Sequence, residues 1–497
     1  MKTIKQFTCY VLLCMTALSA ISCCQSEEND DIQTTASPSK ETVQNDETDA
    51  ANHRLLVPDG LPDKDFGGAI YTMYLRNDPS YSPDDFYAEA SSGDIIEDAV
   101  YERNLKIAER FNVQFAYNYD ESNTTRDSTA LLAIRAGEDM NDILGLHGAY
   151  CFGYAINGYL LDWNSYMLYN DLSQPWWDQD FCSNMTVAGK LFGMTGSISF
   201  NSIGGTFCLL FNKNLFNTYD IPYPYQEVRD GTWSFDRFRT DALAIRADLN
   251  GNGVIEPETD QFGLYSSSWR FPIAAFYMAG DRVISSSKDG ELKLTLYNER
   301  TTDILDAMKN FYAESGIYIT EYSGDYAEDL FRMGRAAFVG STIKSLQTYR
   351  DMDNEIGVVP YPKYDETINR YYSLVDAGDN VFAIPITVQK EKLEMISIIT
   401  EALAAEGWKT VVPTFYEDAL KTKFARDAES EEMLEIITAS RYFDYGYFDI
   451  NIHWNFSYIG RSMLNISKDF SSYYESQRKS AEKKLLKTYE TYRDLDM

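Results

Sequence analysis

The chain has 497 residues, with 76 Asp and Glu against 44 Lys and Arg, which gives a formal net charge of −32 at pH 7. This acidic balance argues against nucleic-acid binding, because phosphate contacts require concentrated Lys and Arg, and it favours a neutral or cationic ligand. The histidines His53, His147 and His453 are scattered along the chain, so histidine-based metal or triad chemistry has no starting motif.

The first residues predict export. Two lysines precede an apolar run, Phe7 to Ile21, that is short for a bilayer span and typical of a signal peptide. Its end, Ala-Ile-Ser-Cys, resembles a bacterial lipoprotein cleavage box in which Cys23 carries the lipid, including palmitate, and Ala20 replaces the usual leucine. Cleavage before Cys24 and a plain signal peptide are the alternatives. We expect residues 1–22 to be removed and the protein to be extracytoplasmic, anchored by lipid to a bacterial membrane.

Residues 23–54 predict an acidic tether. The segment from Gln25 to Asn52 holds eight acids, one lysine and almost no large apolar side chains. It cannot bury enough surface to offset the entropy of ordering, so we expect it to be disordered and to hold a folded body away from the membrane. That body, residues 55–497, is too long for one simple core and predicts two lobes.

The body contains three cysteines, Cys151, Cys182 and Cys208, without CxxC spacing. They predict neither a zinc site nor a disulfide framework. Two of them could pair after export, and the odd count leaves at least one free.

The first part of the body alternates strand and helix patterns. Short apolar runs that end in polar loops predict strands, and apolar stripes opposite charged faces predict helices. The elements in chain order are a strand at 67–75, a helix at 94–111, a strand at 113–117, a helix at 125–136 and a strand at 142–146. This order predicts right-handed crossovers and a mostly parallel sheet in an α/β protein.

The second part begins with a buried-strand pattern at Thr206 to Phe211, which Asn212 and Lys213 close. A helix then opens at Thr232 or Ser234 and runs to about Ala247.

Sixteen residues near position 340 combine three structural signals. The end of a helix stops at Gly334, and Arg335 to Val339 form a buried strand. We expect Gly340 to Thr342 to form a loop in which Ser341 or Thr342 caps a helix that begins near Ile343. Because ligands of open α/β sheets bind beyond the carboxyl ends of strands, this loop would face a binding site. An ordinary strand-to-helix turn is the alternative.

Several motifs share an order that resembles one family. They are GKLFG from Gly189, a strand closed by Asn-Lys, a proline turn at Ile221 to Pro224, the Thr-Trp helix start, FRMGRAAF from Phe331, VVPYPK from Val358, FAIP from Phe382 and PTFYEDALKTKFARD from Pro413. Each motif alone is loose. Their order over most of the body resembles the family 1 extracellular solute-binding proteins of ABC importers, of the sugar-binding type.

The resemblance implies a two-lobed type II periplasmic-binding-protein fold that closes on a solute like a flytrap. Lobe 1 would comprise 55–205 and about 356–406, and lobe 2 would comprise 206–355 and about 407–497. Hinge strands would cross near Gly204 to Thr206 and near Gly357 to Tyr361, where glycine or proline allows the backbone to bend.

One loop has the pattern of a calcium site. Asp248, Asn250, Asn252 and Glu256 fit positions one, three, five and nine of an EF-hand-type loop. The closing acid, Asp260, comes one residue late. A structural calcium ion and a metal-free Asn/Gly-rich turn are both open, and we expect no other cofactor.

Sugar recognition usually combines aromatic stacking with polar groups for the hydroxyls. The candidates are aromatic and polar residues at predicted strand ends and helix starts. They are Trp454, Trp269, Arg270, Ser341, Thr342, Tyr150, Asp281, Asp379 and Asn380. Many family members place a tryptophan shortly after the GRAAF strand, whereas this chain has Ser341, Thr342 and Ile343 there, so stacking must come from elsewhere or the ligand is not a typical oligosaccharide.

Three functions remain open at this point. The resemblance implies a non-enzymatic, monomeric receptor that binds a mono- or oligosaccharide and delivers it to the permease subunits of an ABC transporter. An exported carbohydrate-active enzyme would also suit acids and aromatics together, although no spacing singles out a carboxylate pair. A surface glycan-binding lipoprotein without a transporter is the third hypothesis.

Overall fold

The computed structural model describes residues 53–77, 85–88, 91–120, 128–287, 290–321, 330–349, 352–421 and 428–495. The predicted signal peptide, Cys23 and most of the tether lie outside these residues. By its internal contacts the chain divides into Met1–His53 and Arg54–Met497, and the named elements all lie in the second unit. Within the described ranges, no helix has both the length and the apolar composition needed to cross a membrane.

The described strands, in chain order, are β1 (Ala69–Arg76), β2 (Val113–Asp120), β3 (Ile143–His147), β4 (Phe207–Asn212), β5 (Phe262–Ser267), β6 (Ile284–Ser286), β7 (Leu292–Leu294), β8 (Ile317–Thr320), β9 (Ala336–Thr342), β10 (Ile356–Val359), β11 (Ser373–Leu374), β12 (Asn380–Ala383) and β13 (Arg441–Tyr442).

The α-helices are α1 (Ile95–Phe111), α2 (Thr129–Ala136), α3 (Gly148–Ile156), α4 (Trp163–Tyr166), α5 (Gln179–Met185), α6 (Phe200–Gly204), α7 (Lys213–Thr218), α8 (Tyr225–Asp230), α9 (Phe235–Ile245), α10 (Phe271–Ala275), α11 (Glu299–Tyr312), α12 (Leu393–Glu406), α13 (Val412–Lys421), α14 (Ala428–Ala439), α15 (Tyr445–Phe448), α16 (Trp454–Ser457), α17 (Ile459–Ser462) and α18 (Phe470–Asp494). Short 3₁₀ helices lie at Phe276–Ala279, Ile343–Tyr349 and Lys390–Lys392, and a π-helical turn lies at Gly407–Val411.

The first sheet has the strand order β12-β3-β1-β2. Its three early strands are parallel, and β12 joins β3 in the antiparallel direction. The helices between them begin and end at local signals: the Asp94 carboxylate caps the start of α1, and Asn112, in the left-handed conformation, ends it. The predicted alternation of strands and helices is therefore confirmed, with one antiparallel strand added.

The second sheet has the order β10-β4-β9-β5-β8 and mixes parallel with antiparallel pairs. Its strand β9 continues through Gly340 to Thr342, because Ser341 and Thr342 pair with Cys208 and Phe207 of β4. The predicted loop and helix cap at Ser341 and Thr342 are therefore wrong. A 3₁₀ helix, rather than an α-helix, begins at Ile343.

Two segments differ from the predicted lobe boundaries. The strand β10, expected in lobe 1, pairs with β4 of the second sheet, and the chain regains the first sheet at β12. The segment after residue 407 was expected in lobe 2, yet the turn Gly407–Val411 and α13 pack against α1, beside the first sheet. Both segments have apolar patterns that fit either lobe, so sequence periodicity could not separate them.

The body cysteines Cys151, Cys182 and Cys208 are free in the structure, so the alternative of a disulfide among them is not realised. Cys151 and Cys208 are completely buried, and burial raises the pKa of both thiols.

A buried glutamate on α12 joins this helix to the segment that contains Asn170, Trp176 and Trp177. The Glu401 side chain, on α12, is completely buried and accepts hydrogen bonds from the indole N–H groups of Trp176 and Trp177 at 2.9 and 2.8 Å. The amide of Asn170 donates a third bond at 3.1 Å. Burial raises the pKa of Glu401 to about 7, against the opposing effect of these donors.

We expect Glu401→Ala to lower the free energy of unfolding by about 3–5 kcal/mol, because it leaves two buried indole donors without an acceptor. Glu401→Gln retains one carbonyl acceptor and should cost less. Urea unfolding of the three proteins measures both values, and a loss under about 1 kcal/mol in the alanine variant would show that water replaces the carboxylate.

Candidate functional site

Polar side chains gather at the carboxyl edge of the first sheet. Arg76, the last residue of β1, is 1 % exposed. Its Nε and Nη2 donate to the Oδ1 of Asn380 at 3.0 and 2.8 Å, and Nη2 also donates to the carbonyl of Gly378 at 2.7 Å. Asn380 starts β12, which runs antiparallel to β3, and it lies opposite His147. The predicted ligand residue Asn380 is thus held by a buried guanidinium.

His147 and Tyr150 lie next to this group. Their rings pack with centroids 4.8 Å apart, and the Nδ1 of His147 accepts from the N–H of Ala149 at the start of α3. Burial and the neighbouring Arg76 guanidinium lower the pKa of His147 to about 3. The imidazole is therefore a neutral acceptor in this part of the site.

The carboxyl end of β5 supplies the corresponding edge of the second sheet. Ser268, Trp269 and Arg270 follow this strand. The guanidinium of Arg461 lies 4.1 Å from the centre of the Trp269 ring, and its Nε donates to the Ser268 hydroxyl at 3.1 Å. Arg461 therefore covers one face of Trp269, and its Nη2 lies 3.3 Å from the carboxylate of Glu321.

Trp269 packs against two further aromatic rings, and we call Trp269, Trp454 and Tyr458 the aromatic cluster. The Tyr458 ring lies 5.3 Å from Trp269 and 4.6 Å from Trp454, and the two tryptophans are 6.3 Å apart, all with edge-to-face geometry. Tyr458 is buried, whereas Trp454 is 42 % exposed. Trp454 is therefore the exposed ring of the cluster, and it packs on the buried ring of Tyr458.

The segment from Tyr445 to Ser462, which carries Trp454 and Tyr458, contacts helices beside both sheets. Helix α15 packs against α3, beside the first sheet, and α17 packs against α10, beside the second. Gly460 permits the second contact, because a Cβ there would lie 2.0 Å from the carbonyl oxygen of Pro272. The Tyr447 ring lies 5.6 Å from Tyr458, and its hydroxyl donates to Oδ1 of Asp376 at 3.4 Å. The cluster therefore lies where elements of the two layers meet.

The remaining predicted ligand residues are engaged in other contacts. Ser341 is 1 % exposed, inside β9. The Thr342 hydroxyl lies 3.1 Å from that of Ser345 and accepts from Arg270 at 3.4 Å. Asp281 forms a two-point ion pair with Arg300, with both bonds at 2.7 Å.

The structure brings Trp269 and Trp454 together and places Arg270 beside Thr342. Sequence reasoning missed Tyr458, Arg461 and Tyr447. Trp454, Tyr458 and Arg461 recur at a spacing of four and three residues, and this helical period could have indicated a shared face.

The predicted calcium loop is closed by its own hydrogen bonds. The Asp248 carboxylate accepts from the N–H groups of Gly251 and Gly253, both at 2.7 Å. The late acid Asp260 accepts from the N–H groups of Leu249 and Glu256 at 2.9 and 2.8 Å. Within the described ranges, no group of three or more His, Cys, Asp or Glu side chains is arranged to hold a metal ion. Calcium binding by Asp248, Asn250, Asn252, Glu256 and Asp260 stays a prediction.

No family model and no curated protein match the sequence, but the fold is similar to solved structures. UspC of M. tuberculosis aligns over 83 % of this chain and 99 % of its own, with a TM-score of 0.55 and 15 % identity. The maltose/maltodextrin-binding domain MalE of Bdellovibrio bacteriovorus, bound to maltotriose, aligns over 86 % and 100 %, with a TM-score of 0.51 and 15 % identity.

An ABC-transporter solute-binding protein of Agrobacterium radiobacter, in complex with ribitol, aligns over 86 % of this chain and 100 % of its own, with a TM-score of 0.51 and 14 % identity. These similarities confirm the predicted fold class: the chain has the two-lobed α/β fold of periplasmic binding proteins. The two larger sheets among the described residues have four and five strands.

We expect His147 to stay uncharged between about pH 5 and pH 8, and an NMR titration of its ring should show no shift in that range. Because the folded pKa lies below the ordinary value of 6.5, the stability that depends on neutral His147 is complete above that pH and is lost as the pH falls toward the folded value. His147→Gln should lessen this acid loss in urea unfolding. A ring that titrates near its ordinary pKa would contradict the buried arrangement.

Proposed function

We propose that the chain is an extracytoplasmic receptor that binds a carbohydrate in the cleft between the lobes and delivers it to an ABC permease. The observation that carries the proposal is the aromatic cluster, which lies between elements of both lobes at the carboxyl edge of the second sheet. Ligands of open α/β sheets bind beyond the carboxyl ends of the strands. Two solved proteins of similar fold hold maltotriose and ribitol.

Within the cluster, Trp454 is the ring best placed to stack on a sugar. Its exposed fraction of 42 % leaves a large part of the indole free, whereas Arg461 covers one face of Trp269. We infer that Trp269 and Tyr458 support the Trp454 ring. The guanidinium of Arg461 beside them would bind the sugar hydroxyls, since stacking fixes the ring plane and hydrogen bonds fix its orientation.

We propose that binding occurs without catalysis. The carboxylates beside the cluster already have partners: Asp376 accepts from Tyr447, and Glu321 pairs with Arg461. Glycoside hydrolysis needs one carboxyl to protonate the leaving group and a second to act on the sugar carbon or on water. The two solved proteins of similar fold that hold maltotriose and ribitol are both binding proteins.

The amino-terminal features complete the proposal. Lipidation at Cys23 would retain the receptor at the membrane that holds the permease subunits. The acidic segment up to residue 54 would let a monomeric body reach them.

We expect Trp454→Ala to weaken binding of the best carbohydrate in a thermal-shift screen by about tenfold or more, because it removes the exposed stacking surface. Its unfolding free energy should change little. Trp269→Ala should weaken binding and also destabilise the fold, since Trp269 packs between Tyr458 and Arg461. Isothermal titration calorimetry gives the affinities.

The matched control is Tyr297→Ala, which removes a partly exposed aromatic ring that stacks on Tyr474, outside the cluster, and should leave affinity unchanged. Full affinity in both tryptophan variants would refute the site. Release of reducing sugar from a glycan would refute the receptor in favour of an enzyme.

A further inference from the structure

The chain passes between the two lobes through segments that lie side by side. Thr206, just before β4, forms an antiparallel bridge with Val375. The N–H of Asp376 donates to the carbonyl of Gly205 at 3.1 Å, and the N–H of Ile343 donates to the carbonyl of Thr206 at 3.1 Å. We call these residues, 205–206, 343 and 375–376, the hinge.

An ion pair spans the hinge. The Nζ of Lys344, two residues beyond the end of β9, lies 3.1 Å from the Oδ1 of Asp379. Asp379 immediately precedes β12 of the first sheet and is 3 % exposed. Lys344 thus lies in the 3₁₀ helix that continues β9 of the second sheet and packs against α6 and α13, whereas Asp379 leads into the first sheet. Both side chains lie within a few residues of the hinge hydrogen bonds.

The backbone is fitted closely around this pair. A Cβ on Gly205 would lie 1.3 Å from the Oδ2 of Asp379, and a Cβ on Gly204 would lie 3.0 Å from the Cβ of Lys344. The Oδ2 atom is buried and has no hydrogen-bond partner among the described residues. The carboxylate is therefore packed against the hinge backbone. Among the residues that the structure describes, Lys344 is the side chain that donates a hydrogen bond to it.

We propose that Lys344 and Asp379 are positioning residues that set the angle between the lobes in the ligand-free receptor. The proposal rests on the two-lobed fold and holds for any solute. It assigns Asp379, a predicted ligand residue, to the hinge. A buried ion pair that loses one partner leaves an uncompensated charge, so this pair favours the one interlobe arrangement in which its two ends meet.

The energetics of Asp379 fit a role other than stability. Burial raises its pKa to about 7, while Lys344 and, more weakly, Arg76 oppose the shift and Asp376 adds to it. The folded pKa lies above the ordinary value of 3.8. The fold therefore loses stability as the pH rises from that value to about 7, because the buried carboxyl ionises.

We expect Asp379→Asn and Lys344→Met to increase hydrogen–deuterium exchange at the amides of Ile343 and Asp376 by about tenfold, because the hinge opens more often when the pair is absent. The measurement uses the ligand-free protein and mass spectrometry. The radius of gyration from small-angle scattering should rise in both variants.

Asp142→Asn is the matched control. Asp142 is completely buried and accepts from Lys392 at 2.9 Å, so it forms a similar pair within the first lobe alone. Its loss should change unfolding but not hinge exchange. Unchanged hinge exchange in both Asp379→Asn and Lys344→Met, or equal changes in Asp142→Asn, would overturn the proposal. Because no sugar is added, this outcome is separate from the result at the aromatic cluster.

Discussion

The backbone pairing of Thr206 with Val375 is the constraint on which the rest of the molecule depends. It brings the start of β4 next to the segment that leads into β12, so the second sheet begins where the first sheet is completed. The carboxyl edges that carry Arg76 and Trp269 are positioned by this one crossing. A rotation at the hinge would therefore move one of these edges relative to the other.

Apolar periodicity and helix-capping residues predicted the strands and helices whose ends are set by neighbouring residues in the sequence. The strand and helix alternation up to His147 followed from apolar periodicity and from caps such as Asp94, and the structure contains it. At Gly340 to Thr342 the turn-forming composition was misleading, because pairing with β4 outweighs the preference of Gly, Ser and Thr for loops. That pairing joins residues more than 130 positions apart, which no local pattern records.

In the candidate site, too, local sequence indicated some residues, whereas contacts between distant segments determined others. Trp454 and Trp269 were recognisable as aromatic residues near predicted strand or helix ends, but Arg461 was not, since its position over Trp269 depends on Gly460 packing against Pro272. Asp379 lies at a sheet edge, as expected for a ligand residue, yet the chain crossing buries it against Gly205. Position along a strand is visible in sequence, whereas burial by a distant segment is not.

The distribution of indole environments has a practical consequence. Trp163, Trp176, Trp177 and Trp233 are each at most 2 % exposed. Trp454 is the most exposed indole and borders the proposed sugar site together with Trp269. Emission from the buried indoles is shielded from solvent and supplies a constant background. A solute that covers Trp454 should therefore change the intrinsic fluorescence of the protein, so that its binding can be followed without an attached dye.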